Sequence, residues 1–467
     1  MNKINTLSIK SKSIISASAK IRNFLDTILD EKSFVELDVF VSGNSFVDGA
    51  DVLGEGVVTG YASVNDEPVY LFAQNSEVLS GSFSKAQSEK IIKVINLAVK
   101  NNAPLIAITD SNGARIGEGM AVLEAYSAVT NAITIASEEI PVINIIKGNC
   151  VGLLSAVPAL SDFVLMSEDA LLSLSAPSVL SAKANASGKL TDILGAKTHA
   201  SLSGIASHIY KDNKSLAENL RNIISIVSGG NYSSEDDPNR VCPALNNTLN
   251  IKNLTAALFD KGNFMPYASE YAKELILGFG KINGIYCGIS ICDSSASQVL
   301  SRQAIIKLNR FIELLDKFNI PFISLVDNSG LEAALSDEQS GIIREYAQLM
   351  KSISISGMAK IAVITGKAIG TAYTALASKS IGYDYVLAFS GAEITPVDPA
   401  VAANVIYLDE IKKAKDPSKT REELMKKYSE LQGNPLVVAR EGYIDNVIEP
   451  SALRPYVASA LIMLLGL

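Results

Sequence analysis

Apolar runs too short for helices, each ending in a glycine-rich loop, recur along the chain. Leu105-Ile-Ala-Ile108 has the length of a buried strand, and it stops at Asp110-Ser-Asn-Gly113, the composition of a tight turn. Gly113, Gly117 and Gly119 keep the next stretch bare, and the spacing predicts a helix over residues 121–135. A second strand, residues 140–146, runs into Gly148-Asn-Cys-Val-Gly152-Leu153. Strand, helix and strand in that order make a βαβ unit. Both glycine loops fall at the carboxyl ends of its strands, where open α/β sheets bind ligands.

The plan occurs twice. Phe322-Ile-Ser-Leu-Val-Asp327-Asn-Ser-Gly330 mirrors residues 105–113, and residues 342–353 mirror the helix. Ile361-Ala-Val-Ile-Thr-Gly366-Lys-Ala-Ile-Gly370-Thr371 mirrors residues 140–153, and Asp384-Tyr-Val-Leu mirrors Asp162-Phe-Val-Leu. Asp110 and Gly148 are 38 residues apart, Asp327 and Gly366 are 39. A duplicated βαβ plan predicts an α/β protein of two similar domains. Gly229-Gly-Asn-Tyr-Ser-Ser-Glu-Asp-Asp-Pro238 has no periodicity and reads as the connection, giving domains at 1–235 and 236–467. Residues 19–29 have helical spacing, and Gly54-Glu-Gly-Val-Val-Thr-Gly60 opens a β-rich layer with Tyr70-Leu-Phe-Ala-Gln74. The charged residues 408–428 read as an exposed helical excursion.

Hydrophobic residues at 48% supply a large core, and charged residues at 19% are few enough to suggest an exterior covered by other subunits. The net charge of -8 and pI near 5.1 weigh against nucleic acid and anionic membranes as partners. Cys150, Cys242, Cys287 and Cys292 lack disulfide or zinc spacing, which predicts reduced thiols, no metal and a cytoplasmic location. There is no apolar run of membrane-spanning length; residues 454–467 are apolar but too short. The first sixteen residues, hydroxyl-rich and without acids, read as a frayed terminus.

Side-chain catalysis is poorly supplied. The chain has no Gly-x-Ser-x-Gly elbow, no His-Glu-x-x-His, no Walker loop and two histidines, His199 and His208. Both histidines read as structural. What the chain offers is bare backbone, at Gly148 and Gly152 and again at Gly366 and Gly370. Exposed amides at a strand-to-helix turn form an oxyanion hole, which selects for small residues.

Asp110-Ser-Asn-Gly-Ala-Arg-Ile-Gly-Glu-Gly119 resembles the Asp-Ser-Gly-Gly-Ala-Arg-Ile-Gln-Glu-Gly signature of the biotin-dependent acyl-CoA carboxyltransferases. Phe34-Val-Glu-Leu-Asp38, Gly54 to Gly60, Phe72-Ala-Gln74, Lys90-Ile-Ile-Lys93, Leu194-Gly-Ala-Lys-Thr-His199 and the closing residues 434–450 are similar to family text as well. The resemblance covers roughly residues 19–465. It implies two tandem crotonase-like spiral domains, the first taking the acyl-CoA and the second biotin. It implies a carboxyl transfer between carboxybiotin and the α-carbon of acetyl-, propionyl- or methylmalonyl-CoA, in which one hole holds the thioester oxygen and the other the ureido oxygen.

Carried over by position, the first hole falls on Gly152 and Leu153 and the second on Thr371 and Ala372, with the Thr371 amide used and its side chain incidental. Ligand contacts fall on Gly113, Ala114, Arg115 and Gly148 in the first half, and on Asn328, Gly330, Gly366 and Gly370 in the second. Lys90 and Lys93 read either as a solvated helix face or as contacts to CoA phosphates. The family builds each site between two subunits, which implies a homo-oligomer, a dimer of split sites or a hexamer. The chain has no Ala-Met-Lys-Met biotinylation motif and no ATP-binding carboxylase text, so biotin carboxyl carrier and biotin carboxylase, or a membrane decarboxylase, belong to other chains.

Departures stand out in the second half. The family's two Gly-Gly pairs are Gly152-Leu153 and Gly370-Thr371 here, its Asp-Val-Pro-Gly-Phe loop is Asp327-Asn-Ser-Gly-Leu331, and its Met-Gly-x-x-Gly-Ala segment is Val397-Asp-Pro-Ala-Val-Ala402. Two alternatives follow: the carboxyltransferase subunit of a sodium-pumping decarboxylase, which shares the same site, and a catalytically weak assembly partner.

Overall fold

The computed structural model describes residues 11–44, 51–184, 189–229, 233–260 and 264–467. Residues 1–10 of the expected frayed terminus and 230–232 of the expected connection lie outside these. The chain divides into two compact units, Met1–Ser228 and Gly229–Leu467, a few residues before the boundary expected at 235.

Unit 1 is built on one mixed sheet. Its strands are β1 (Val35–Leu37), β2 (Val57–Val64), β3 (Glu67–Gln74), β4 (Leu105–Ser111), β5 (Val142–Val151), β6 (Phe163–Ser167), β7 (Leu171–Ser173) and β8 (His208–Tyr210). The order is β1-β2-β3-β4-β5-β6-β8, with β7 added to the far end of β5. Strands β1 to β3 pair antiparallel and the rest parallel. Asn65 and Asp66, both at positive φ (54° and 65°), make the two-residue turn of the β2–β3 hairpin.

Unit 2 repeats this plan with β9 (Phe264–Tyr267), β10 (Leu275–Ile282), β11 (Ile285–Cys292), β12 (Phe322–Asn328), β13 (Lys360–Ile369), β14 (Tyr385–Phe389), β15 (Glu393–Thr395) and β16 (Asn446–Ile448). The order is β9-β10-β11-β12-β13-β14-β16, with β15 on β13. Asn283 and Gly284, at φ 51° and 79°, make the matching hairpin turn.

Helices α1 (Lys85–Lys100) and α2 (Met120–Glu139) cover one face of the first sheet, and their counterparts in unit 2 are α3 (Arg302–Lys317) and α4 (Ile342–Ile355). Central β4 is buried at all seven positions, which is why its sequence is a continuous apolar run and not an alternating one. Phe72, Ile91, Val94, Ile95, Ala107, Val129 and Ile133 form the core between α1, α2 and the sheet. After β13 comes the short helix α5 (Thr371–Leu376). The apolar terminal segment is helix α6 (Leu453–Leu465), which buries Leu453, Val457, Ala458 and Leu461 in the core of unit 2. The excursion expected over 408–428 is helical, in Leu408–Lys413 and Pro417–Tyr428. Cys150, Cys287 and Cys292 are buried free thiols. No helix among the described residues is long and apolar enough to cross a membrane.

Candidate functional site

In both units the central parallel ladder breaks at one place. Strands β4 and β5 pair in register from Leu105↔Val142 to Thr109↔Ile146 and resume at Ser111↔Cys150. Strands β12 and β13 pair as far as Val326↔Ile364 and resume at Asn328↔Ala368. The residues passed over are Asp110 and Asp327. Asp110 accepts from Ser76 Oγ at 2.7 Å and from Lys147 Nζ at 3.3 Å; Asp327 accepts the Lys367 N–H at 2.8 Å. Gly148 and Gly366 give each carboxylate its room, since a Cβ on either would stand 2.2 Å from the aspartate Oδ1. These two glycines are set against an aspartate, and it is the next turn of chain that carries free amides.

In unit 1 those amides belong to Ala114 and Leu153. Phe83 N–H donates to Gly113 O and Arg115 N–H to Phe83 O, both at 2.8 Å. This bridge fixes Ala114 from both sides, and its own N–H has no hydrogen-bond partner among the described residues. On the second loop, Gly152 N–H donates to Ser173 O at 2.9 Å, which holds β7 against β5. The expectation that Gly152 supplies a free donor is therefore corrected: its N–H is spent, and the N–H without a partner among the described residues is that of Leu153. Both loops pivot on glycines at positive φ, 114° at Gly113 and 83° at Gly152. The two glycines face each other, a Cβ on Gly152 standing 3.8 Å from Gly113 Cα. Leu153 itself keeps a negative φ, so the leucine in place of a second glycine leaves its amide usable.

Unit 2 reproduces the frame and changes the contents. Leu300 N–H donates to Gly330 O at 3.0 Å and Glu332 N–H to Leu300 O at 2.9 Å, so Leu331 is the counterpart of Ala114. Gly370 N–H is spent on Thr395 O at 2.9 Å, as Gly152 N–H is on Ser173, and Thr371 follows as Leu153 does. Here, however, Leu331 N–H has a partner: the Thr371 hydroxyl, 3.1 Å away. The Thr371 side chain is thus part of the loop pair. Asn328 stands where Ser111 does, its Oδ1 accepting Gly330 N–H at 2.8 Å, and its buried Nδ2 makes no hydrogen bond. Ala372 is buried beside Thr371.

The charged candidates have structural partners. Arg115 Nη1 lies 2.7 Å from Glu55 Oε2 and 3.4 Å from Glu118 Oε1, with the Glu55 side chain fully buried. Glu118 in turn accepts Lys85 N–H at 2.7 Å. Lys90 corrects both of its expected readings. It is 2% exposed, donates to Val57 O at 2.7 Å and Gly54 O at 3.2 Å, and burial pushes its pKa down to about 8. Lys307 is its copy in unit 2, donating to Tyr271 O and Leu275 O at 2.7 Å, and is likewise pushed down by burial to about 8. Lys93 pairs with Asp38 at 2.6 Å. His199 bridges Leu172 O at 2.8 Å and Ser203 Oγ at 3.0 Å, and burial lowers its pKa; His208 Nδ1 meets Ser207 Oγ at 3.1 Å. Among the described residues no cluster of acids, histidines and cysteines suits a metal. Sequence reasoning missed Leu331, although the duplication carried its signal: it follows Gly330 as Ala114 follows Gly113.

Each unit therefore presents polar hydrogens from two adjacent glycine-hinged loops, an arrangement suited to an oxygen that gains negative charge. A family model described as the carboxyl transferase domain matches residues 18–466. The chain is 35% identical to methylmalonyl-CoA decarboxylase subunit alpha of Propionigenium modestum, over 95% of this chain and 90% of that one. It is 33% identical to the carboxyltransferase subunit of propionyl-CoA carboxylase of Haloferax mediterranei, with coverage of 95% and 90%. Among solved structures it is similar to transcarboxylase 12S, a hexamer assembly with methylmalonyl-CoA and methylmalonic acid bound, at a TM-score of 0.90 and 29% identity, covering 98% of this chain and 94% of that one. The expected α/β fold of two crotonase-like domains is the fold of that structure.

Proposed function

The chain belongs to the carboxyl transferase family of biotin-dependent enzymes acting on acyl-CoA, and from that premise we propose that unit 1 binds a small acyl-CoA by its thioester oxygen at Ala114 and Leu153 N–H. Methylmalonyl-CoA and propionyl-CoA are the proposed pair. The observation that carries this reading is the pair of unspent amides on facing glycine hinges in unit 1.

Biotin supplies the nitrogen that carries the carboxyl group. In the decarboxylating direction the acyl-CoA α-carbon would give up its carboxyl group to that nitrogen and take the nitrogen's proton in exchange. The chain's part is to hold oxygens. Charge that builds on the thioester oxygen as the α-carbon becomes electron-rich is met by two fixed N–H dipoles, each worth about 2.7–4 kcal/mol in comparable sites. Unit 2 has a donor for a second oxygen at Thr371, which fits the ureido oxygen of biotin.

The carrier of biotin and the enzyme that charges it, or a membrane decarboxylase, are proposed to be separate chains, and the working form a homo-oligomer. Incubating the protein with methylmalonyl-CoA and free biotin tests the reading. Propionyl-CoA should form in a biotin-dependent way, and methylmalonyl-CoA and propionyl-CoA should each raise the melting temperature. No product with methylmalonyl- or malonyl-CoA would sink it.

A further inference from the structure

The two loop pairs differ in the fate of one amide. Unit 1 leaves the Ala114 amide open, whereas in unit 2 the equivalent Leu331 amide donates to Thr371 Oγ1 at 3.1 Å. We propose that the Thr371 hydroxyl, and not the Leu331 amide behind it, is the donor that unit 2 offers to the oxygen of its ligand.

The argument is one of hydrogen-bond accounting. A hydroxyl both accepts and donates. Thr371 Oγ1 has accepted from Leu331, and its own hydrogen has no acceptor among the described residues. Accepting a bond polarises the O–H and strengthens what it donates. The amide dipole is thereby passed on through one oxygen, and the ligand oxygen sits one heavy atom farther out than in unit 1. The surroundings are matched to that side chain: a Cβ on Gly330 would stand 3.1 Å from Thr371 Oγ1, so a larger residue at 330 would press on the hydroxyl. At the same loop the buried Asn328, its Oδ1 spent on Gly330, keeps an Nδ2 with no partner, a second unsatisfied donor. A polarised hydroxyl without an acceptor, on a loop whose neighbour keeps an unpaired amide donor, calls for a carbonyl-type oxygen. The ureido oxygen of biotin meets that description, so the inference rests on the function proposed above.

Thr371→Ser, Thr371→Ala and Thr371→Val separate a donor from a mere occupant. The probes are biocytin affinity, transfer from methylmalonyl-CoA, and hydrogen exchange at the Leu331 amide. The serine variant should keep affinity and rate within about threefold. Alanine and valine should weaken biocytin binding by about threefold to tenfold, the range of one neutral hydrogen bond, and slow transfer by about a hundredfold. Leu331 should exchange slowly in the parent and serine variant and faster in the alanine variant, while the acyl-CoA-induced rise in melting temperature should be equal in all four. An active parent whose alanine variant binds biocytin as tightly and transfers as fast would overturn this inference alone, because the hydroxyl would then only fill space. A parent that neither binds biocytin nor transfers would overturn the proposed function, and this inference with it.

Discussion

Gly366 lies so close to Asp327 that a methyl group on it would stand 2.2 Å from the carboxylate Oδ1. Gly148 repeats the relationship on Asp110 at the same distance. Neither glycine has a positive φ, so alanine could adopt the backbone, and at such positions Gly→Ala ordinarily stabilises by about 0.4–1 kcal/mol. Here the clash reverses the sign. Gly366→Ala and Gly148→Ala should each destabilise by about 1–3 kcal/mol through overpacking, measured by urea unfolding. Gly357→Ala, with nothing within 4 Å of the added carbon, is the control and should be neutral or mildly stabilising. Equal effects at all three positions would remove the carboxylates from the explanation.

Arg115 was expected among the ligand contacts, yet it is paired with buried Glu55 at 2.7 Å. Removing one partner of a buried pair strands the other, at a cost of about 3–5 kcal/mol. Arg115→Met should therefore lower stability by an amount in that range. The acyl-CoA-induced rise in melting temperature should survive in the folded variant. A variant of parental stability that no longer responds to acyl-CoA would restore the ligand-contact role.

Lys90 and Lys307 give a pH dependence whose sign is fixed by burial. Burial holds their folded pKa values at about 8, below the ordinary lysine value of 10.5. Between those limits the unfolded chain binds more protons, so these groups make stability rise with pH. The buried thiols of Cys150 and Cys292, pushed up to about 12, oppose this above their ordinary range, and comparison with variants cancels them. The stability of the parent minus that of Lys90→Met should grow from pH 7.5 to 9.5, and likewise for Lys307→Met. A flat difference would mean that the ammonium, bonded to its carbonyls, keeps an ordinary pKa.

Much of this frame can be read directly from sequence, and the reason is local. Strands β4 and β12 are continuous apolar runs because both faces are covered, and the turns at Asn65-Asp66 and Asn283-Gly284 carry the residues that positive φ demands. The glycines were equally visible, but their reasons were not. Gly148 and Gly366 serve a carboxylate 38 and 39 residues earlier in the chain, and Gly152 and Gly370 spend their amides on Ser173 and Thr395. Such partners are set by tertiary register, which a composition of small residues does not encode. Lys90 shows the same limit: on a helix it looks solvated, and only the carbonyls of the preceding hairpin region reveal it as buried.

Subunit association is the next expectation. Ile116, just before α2, and Met120 and Leu123 in its first turn are exposed in unit 1, and Val401 and Val405, four apart on one helix face in unit 2, are exposed as well. Large apolar side chains at helical spacing on a surface mark an interface. Light scattering should give at least a dimer, and Val405→Lys should weaken it. A monodisperse, active monomer would contradict the homo-oligomer.

The most direct test of unit 1 is the hinge between its spent and unspent amides. Gly152 has φ 83° and ψ -156°, a region that side-chain-bearing residues reach only under strain of about 1–3 kcal/mol. Space is available, since a Cβ there meets nothing closer than 3.8 Å, so the effect of Gly152→Ala is conformational and not steric. The peptide before Gly152 is anchored by its bond to Ser173 O, so relief must come from the peptide after it, the one that carries Leu153 N–H. Turning that amide away removes a donor used mainly when charge develops, and such losses fall on turnover more than on ground-state binding. Gly152→Ala should therefore lower kcat for transfer by about a hundredfold or more while the acyl-CoA-induced rise in melting temperature changes little. Gly391→Ala, another glycine with open space and ordinary φ, should leave both unchanged. Should Gly152→Ala transfer at the parental rate, the Leu153 amide would not be the group that meets the thioester oxygen.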